Sequence, residues 1–126
     1  MTIRRVDERY TLLQEIGRGG SGPVWLGEDE VLGRRVAIKR IGLPPGTADV
    51  DAVRAEREAR LAARVNHPHV VAVYDLVESE EDHWLVMEYV EGTTLSGRVR
   101  AEGPLGADET ARILAPVADA LAAAHA

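Results

Sequence analysis

Residues 17–24 read Gly17-Arg18-Gly19-Gly20-Ser21-Gly22-Pro23-Val24, the pattern G-x-G-x-x-G-x-V. Glycines at this spacing let backbone N–H groups approach a bulky anion, because no side chain blocks them. Residues 36–39, Val-Ala-Ile-Lys, form a short apolar run that ends in Lys39. A lysine on a neighbouring strand reaches the same anion as a point charge. Together the two stretches predict one half of a nucleotide-binding cleft.

The residues around the glycines exclude two other kinds of nucleotide site. A dinucleotide-binding loop opens a helix, whereas residues 24–26, Val-Trp-Leu, favour a strand. A P-loop carries Gly-Lys-Ser/Thr after its last glycine, whereas Pro23 follows Gly22 here and Lys39 lies 39 − 22 = 17 residues on. Lys39 is the only lysine of the chain. A solvated surface lysine at a strand end remains the alternative interpretation.

Composition restricts the class of protein. The chain has 126 residues, enough for one domain, with 45% hydrophobic and 29% charged residues. Its formal net charge of −6 argues against a nucleic-acid binder. Without cysteine there is no disulfide framework or thiolate metal site, and His67 and His69 alone are too few ligands, so no metal site is predicted. With no signal peptide and no apolar run near ~18 residues, a cytoplasmic location is expected.

Hydrophobic periodicity and breakers predict the order β-β-β-α-β-β, followed by helices. The predicted strands cover residues 10–17, 24–28, 34–41, 70–77 and 84–90. The predicted helices cover residues 48–65, 94–100 and 108–126, and Pro116 predicts a kink or a restart in the last one.

These residues resemble the N-terminal part of the bacterial, eukaryotic-like serine/threonine protein kinases over residues 10–126. The resemblance rests on six ordered matches: the glycine loop, Val36–Lys39, Glu58 in the first long helix, Asn66-His67-Pro68, Met87-Glu88-Tyr89-Val90-Glu91-Gly92 and residues 120–125. It implies an α+β fold. Residues 10–90 are expected to form a kinase N-lobe, a five-stranded antiparallel sheet with one long helix, after a lead-in at 1–9. Residues 91–126 then supply the hinge exit and two helices of an incomplete C-lobe.

The resemblance also implies a role for each matched position. Backbone N–H groups of residues 17–22 (Gly17, Arg18, Gly19, Gly20, Ser21 and Gly22) are expected to cover the phosphates of ATP, and Lys39 to contact those phosphates and pair with Glu58. The adenine contacts it implies are Ile16, Val24, Ala37 and, from below, Leu95. Met87 is expected behind the base, the Glu88 carbonyl and Val90 N–H at its edge, and Thr94 near the ribose.

The family's catalytic loop, His-Arg-Asp with a later Asn, and its Asp-Phe-Gly segment do not occur in these 126 residues. They supply the base and the Mg²⁺ ligands, so Mg²⁺ and a protein substrate are expected only for a longer protein that includes the missing C-lobe. The alternative hypothesis is a non-catalytic, regulatory module built from the small lobe.

We therefore expect the 126-residue chain alone to transfer no phosphate. The base alone is worth ~10²–10⁴ in rate, and the metal ligands are missing as well. Incubation with radiolabelled ATP and a generic protein substrate measures this. Labelling above a buffer control would contradict the expectation.

Overall fold

The computed structural model describes residues 4–19, 22–41, 49–79 and 82–126. It is an α+β fold in which a sheet is followed by two helices. The elements in chain order are β1 (Arg4–Val6), β2 (Tyr10–Gly19), β3 (Gly22–Asp29), β4 (Arg34–Arg40), α1 (Asp49–Ala63), β5 (Val73–Ser79), β6 (Asp82–Glu88), α2 (Leu95–Glu102) and α3 (Ala107–Ala124). None of the helices in these ranges is both long enough and apolar enough to cross a lipid bilayer.

The sheet has six strands in the order β1-β2-β3-β4-β6-β5, and every neighbouring pair is antiparallel. The sequence predicted five strands, so the predicted strand number is wrong by one. The additional strand, β1, lies in the predicted lead-in and pairs Val6 with Tyr10. This strand is not apparent in the sequence because two of its three residues are arginine. An exposed edge strand needs only one inward-facing apolar residue, and here that residue is Val6.

The sheet curls until its two edges approach each other. The hydroxyl of Tyr10 on β2 donates a hydrogen bond to Asp75 on β5 at 3.0 Å. The backbone N–H of Asp7 donates to the hydroxyl of Ser79, also on β5, at 3.2 Å. The curled sheet encloses a core of Val6, Tyr10, Leu12, Val36, Ile38, Trp84 and Val86. Full burial of one such aliphatic side chain stabilises the fold by about 1.5–3 kcal/mol.

One glycine is required by this packing. A Cβ atom at Gly27 would lie 2.6 Å from Cδ1 of Ile38 and 3.1 Å from the carbonyl oxygen of Thr11. Ile38 is fully buried, and the contact with Thr11 is to a main-chain atom, so neither group can move away easily. The position therefore admits no larger residue without repacking of the core.

Asp29, at the end of β3, is a buried carboxylate with several donors. Arg9 donates to its two oxygens at 3.0 and 2.8 Å, and the backbone N–H groups of Val31 and Leu32 donate to Oδ1 at 2.9 and 3.1 Å. These donors, the Arg9 guanidinium first, lower the pKa of Asp29 to about 2. The carboxylate therefore ties the β3–β4 turn to the residue that precedes β2.

The helices agree with the predicted positions to within two residues where the structure describes them. The described part of α1 begins at Asp49, and Ala48 lies outside the described residues; the helix ends at Ala63, two residues before the predicted end. The N–H groups of Arg64 and Val65 then bond three residues back, as in a tightening final turn. Helix α3 runs through Pro116 as one helix, so the predicted restart does not occur.

Replacement of Asp29 by asparagine removes the charge that Arg9 faces. We expect Asp29→Asn to lower the free energy of unfolding at neutral pH by about 1–3 kcal/mol, since the donors around the site lose an anionic partner. The folded pKa lies below the ordinary value of 3.8. The stabilisation is therefore present above pH ~4 and disappears as pH falls toward 2.

Denaturant titrations at several pH values measure this, and the variant should lose that part of the acid dependence. Glu30→Gln is the matched control, because Glu30 makes an exposed ion pair with Arg5 at 3.3 Å. Equal acid profiles for the Asp29→Asn variant and the unaltered chain would contradict the assignment.

Candidate nucleotide cleft

The glycine loop joins two antiparallel strands, as the sequence predicted. Gly17 lies opposite Val24, and Gly19 lies opposite Gly22 in the β2–β3 register. Gly22 has φ +113°, a conformation that side chains rarely adopt. Gly20 and Ser21, at the predicted tip, lie outside the described residues. The loop leads into a strand and not into a helix, which excludes the dinucleotide-binding geometry.

Strand β4 separates the core from the site by alternation. Val36 and Ile38 point into the core and are fully buried. Ala37 and Lys39 therefore point to the opposite face of the sheet. Residues directly opposite each other in an antiparallel pair share a face. The register places Val24 beside Lys39, and Met87 beside Ala37.

This shared face has an apolar part and a cationic end. Val24, Ala37 and Met87 supply the apolar part, in which Ala37 is buried and the other two are half-buried. Lys39 supplies the cation next to the strand that leaves the glycine loop. A ligand that joins a flat apolar base to a polyanion requires an apolar surface next to a cationic one.

A cleft of about 500 Å³ is lined by β2 and by the segment after β6, and none of the four residues of this face is among its lining residues. Gln14, Glu15 and Ile16 of β2 line one wall. The other wall is the segment after β6, from which Tyr89, Val90, Gly92, Thr93 and Thr94 contribute. The structure thus brings the predicted residues Ile16, Val90 and Thr94 to one opening. In the part of the chain that the structure describes, no backbone hydrogen bond takes up the N–H of Val90, whose side chain is 62% exposed.

Thr94 and Leu95 connect the cleft to α2. Thr94 is the N-cap of that helix, and its hydroxyl oxygen accepts the N–H of Gly97 at 2.9 Å. Among the hydrogen bonds of the described residues the Thr94 hydroxyl only accepts, so its proton stays available to a ligand. Leu95 is the first residue of α2 and is exposed.

Lys39 and Glu58 do not form an ion pair in this structure. Glu58 lies on α1 with an exposed side chain and, with Arg54 and Arg57, borders a surface hollow between Val53 and Leu61. Among the ion pairs of the described residues, none joins Lys39 to Glu58. Their pairing therefore stays a prediction.

The family model described as protein kinase domain matches residues 10–126. The chain belongs to the protein kinase family. It is 40% identical to serine/threonine-protein kinase PrkC of Bacillus subtilis over 97% of this chain and 19% of that protein. It is 39% identical to the probable serine/threonine-protein kinase PknB of Lactococcus lactis over 94% of this chain and 19% of that protein. The chain thus spans about a fifth of the length of these relatives.

Solved structures give the same family. The kinase domain of Mycobacterium tuberculosis PknI superposes with a TM-score of 0.79 at 29% identity, covering 97% of this chain and 50% of that one. The α+β kinase fold and the resemblance to serine/threonine kinases are therefore confirmed. The chain corresponds to about half of a kinase domain.

Sequence reasoning missed the contacts that Glu88 makes in this kinase chain. The N–H of Glu88 donates to the carbonyl of Ala72 at 2.8 Å, and its side-chain Oε1 accepts the N–H of Ala72 at 3.1 Å. Only a backbone role was predicted for Glu88. Ala72 lies 16 residues before Glu88 in the sequence, so no local sequence pattern indicates this contact.

A second missed contact lies on the rim of the cleft. The Arg18 guanidinium donates to both carboxylate oxygens of Glu15, at 2.9 and 3.3 Å. Arg18 is the first non-glycine residue of the glycine loop, and Glu15 lines the cleft. Charges three residues apart on a strand lie on opposite faces when the strand is regular. The register shift between Glu15 and Gly17 is the irregularity that the sequence does not reveal.

Loss of the Thr94 cap should weaken the start of α2. We expect Thr94→Ala to lower the free energy of unfolding by about 0.5–2 kcal/mol, because the N–H of Gly97 loses its partner. Thr94→Ser should retain most of the stability, and Thr93→Ala serves as the neighbouring control. Thermal unfolding followed by circular dichroism measures the three variants. Equal losses for Thr94→Ala and Thr93→Ala would contradict the capping role.

Proposed function

We propose that this chain is the ATP-binding part of a serine/threonine protein kinase that phosphorylates protein substrates. The observation that supports it most is the single sheet face that the strand register gives to Val24, Ala37, Met87 and Lys39. The names of the relatives support serine/threonine specificity.

The apolar part of this face suits the adenine ring. Val24 and Ala37 cover the base from the sheet side, together with Ile16 at the cleft wall. Leu95, the first residue of α2, covers the other face of the base in this proposal. The N–H of Val90 and the carbonyl of Glu88 supply the donor and acceptor for the purine edge. Bound in this way, the base is shielded on both faces and identified along one edge.

The triphosphate then lies beneath the glycine hairpin. The N–H groups of residues 17–22 face the anion, and Lys39 neutralises charge on the α- and β-phosphates. Thr94 can donate its free hydroxyl proton to the ribose. These residues bind and orient ATP, and Glu58 is expected to pair with Lys39.

Protein kinases use Mg²⁺ with ATP, and the metal screens the phosphate charge during transfer. The family's metal-holding Asn and Asp are not among these 126 residues. This chain therefore contributes the nucleotide contacts, and the chemical step belongs to the protein that also supplies those groups.

Replacement of Lys39 by methionine should separate phosphate recognition from base recognition. ATP should raise the melting temperature of the unaltered chain, because a ligand at 100 times its Kd stabilises by about 2.7 kcal/mol. In Lys39→Met we expect most of this shift to disappear for ATP. The smaller shift produced by adenosine should remain, because the apolar face is intact.

Arg40→Met is the matched control for this measurement. Arg40 follows Lys39 on β4 but faces the opposite side of the sheet, and its Nη1 lies 3.8 Å from Oδ2 of Asp82. Thermal shift titrations with ATP and adenosine give the comparison. An ATP shift in Lys39→Met equal to that of the unaltered chain would overturn the assignment of Lys39 to the phosphates.

A further inference from the structure

His67 makes a long-range contact that the proposed function does not use. Its Nε2 lies 2.9 Å from Oδ2 of Asp119 on α3, 52 residues along the chain. The His67 side chain is 12% exposed, whereas that of Asp119 is 75% exposed. Within the ranges that the structure describes, this is the one hydrogen bond or ion pair that joins α3 to the chain before the hinge segment, residues 87–92.

The tautomer of His67 is determined by its other nitrogen. The backbone N–H of His69 donates to Nδ1 at 3.0 Å, so Nδ1 acts as an acceptor and carries no proton. The proton of the neutral ring is therefore on Nε2, where it is donated to Asp119. One ring thus receives a bond from its own turn and gives one to a distant helix.

The turn that holds His67 is bonded to the hinge. Residues 64–72 connect α1 to β5, and within this turn the N–H of Val70 bonds to the carbonyl of His67 at 3.1 Å. The turn ends at Ala72, which exchanges two hydrogen bonds with Glu88. Glu88 stands directly before the residues that line the cleft.

Helix α3 is held a second time, near its start. Glu109, in its first turn, forms an ion pair with Arg98 of α2. Helix α2 begins at Leu95, directly after its N-cap Thr94, which lines the cleft. Glu109 and Asp119 are 119 − 109 = 10 residues apart, about 15 Å along a helix axis. Two contacts at that separation fix the direction of a helix, whereas one contact leaves it free to pivot.

We propose that His67, as the Nε2–H tautomer, is a positioning residue that fixes α3 and thereby the hinge side of the nucleotide cleft. The contacts form a closed ring. They run from Glu88 to Ala72, through the turn to His67, across to Asp119, along α3 to Glu109, and through Arg98 and α2 back to Thr94. The connection to the cleft rests on the proposed function, whereas the role of the ring in holding α3 does not.

Two conservative substitutions separate the two bonds of the ring. His67→Gln places an amide donor near the former Nε2 and can still reach Asp119. His67→Asn places an amide oxygen near the former Nδ1, keeps the His69 bond and loses Asp119. His69→Asn is the matched control, because His69 contributes only its backbone N–H to the bond with His67.

Hydrogen exchange and ATP titration of the 126-residue chain test the proposal. In His67→Asn and Asp119→Ala we expect the amides of residues 117–124 to exchange about tenfold faster, and ATP to bind about threefold to tenfold more weakly. His67→Gln should recover most of both. The double variant His67→Asn with Asp119→Ala should lose no more than either single one.

Unchanged exchange in His67→Asn, or equal losses in the Gln and Asn variants, would overturn the role of His67. Faster exchange with unaltered ATP affinity would overturn the connection to the cleft. If ATP leaves even the unaltered chain unaffected, the proposed function fails, and the exchange data still decide whether His67 holds α3. Long-range proton–nitrogen correlation of the ring checks the tautomer, and a proton on Nδ1 would also overturn the proposal.

Discussion

The alternation of side chains along β4 is the constraint on which the rest of the molecule depends. Val36 and Ile38 fill the core of the curled sheet, and the same backbone places Ala37 and Lys39 on the other face. A shift of one residue in the pairing of β3 with β4 would exchange the two sets. Core packing and the proposed nucleotide face are therefore set by one register, and the burial of Ile38 determines where Lys39 points.

Polar contacts hold the edges of the curled sheet together, in addition to the apolar core. The curled sheet would expose its two outer strands, and the hydrogen bonds of Tyr10 with Asp75 and of Asp7 with Ser79 hold those edges together. Burial and the bond to Asp75 raise the pKa of Tyr10 to about 12, so the phenol keeps its proton under ordinary conditions. Asp29 and Arg9 anchor the neighbouring turn in the same way. These pairs join segments that lie far apart in sequence.

The sequence predicted those features whose signals lie within a few neighbouring residues. Glycine spacing, β-branched runs and a proline after Asn66-His67 are local, and they placed the hairpin, β4 and the end of α1 within a few residues. Strand β1 was missed because two of its three residues are charged. The contacts of His67 with Asp119 and of Glu88 with Ala72 join residues 52 and 16 positions apart. Such pairs depend on how elements pack, and a single sequence does not record that.

The paired bonds between Glu88 and Ala72 have a consequence for recognition at the hinge. A strand end bonded through both its main chain and its side chain has few conformations left to lose when a ligand arrives. Its conformational entropy is already lost during folding, so under the proposed function a purine would meet a preorganised edge and would retain more of its interaction energy as affinity. The side chain of residue 88 would therefore matter for recognition, even though only the main chain of that residue would face the ligand. A shorter residue at 88 would leave the edge looser, although the ligand never touches the part that was removed.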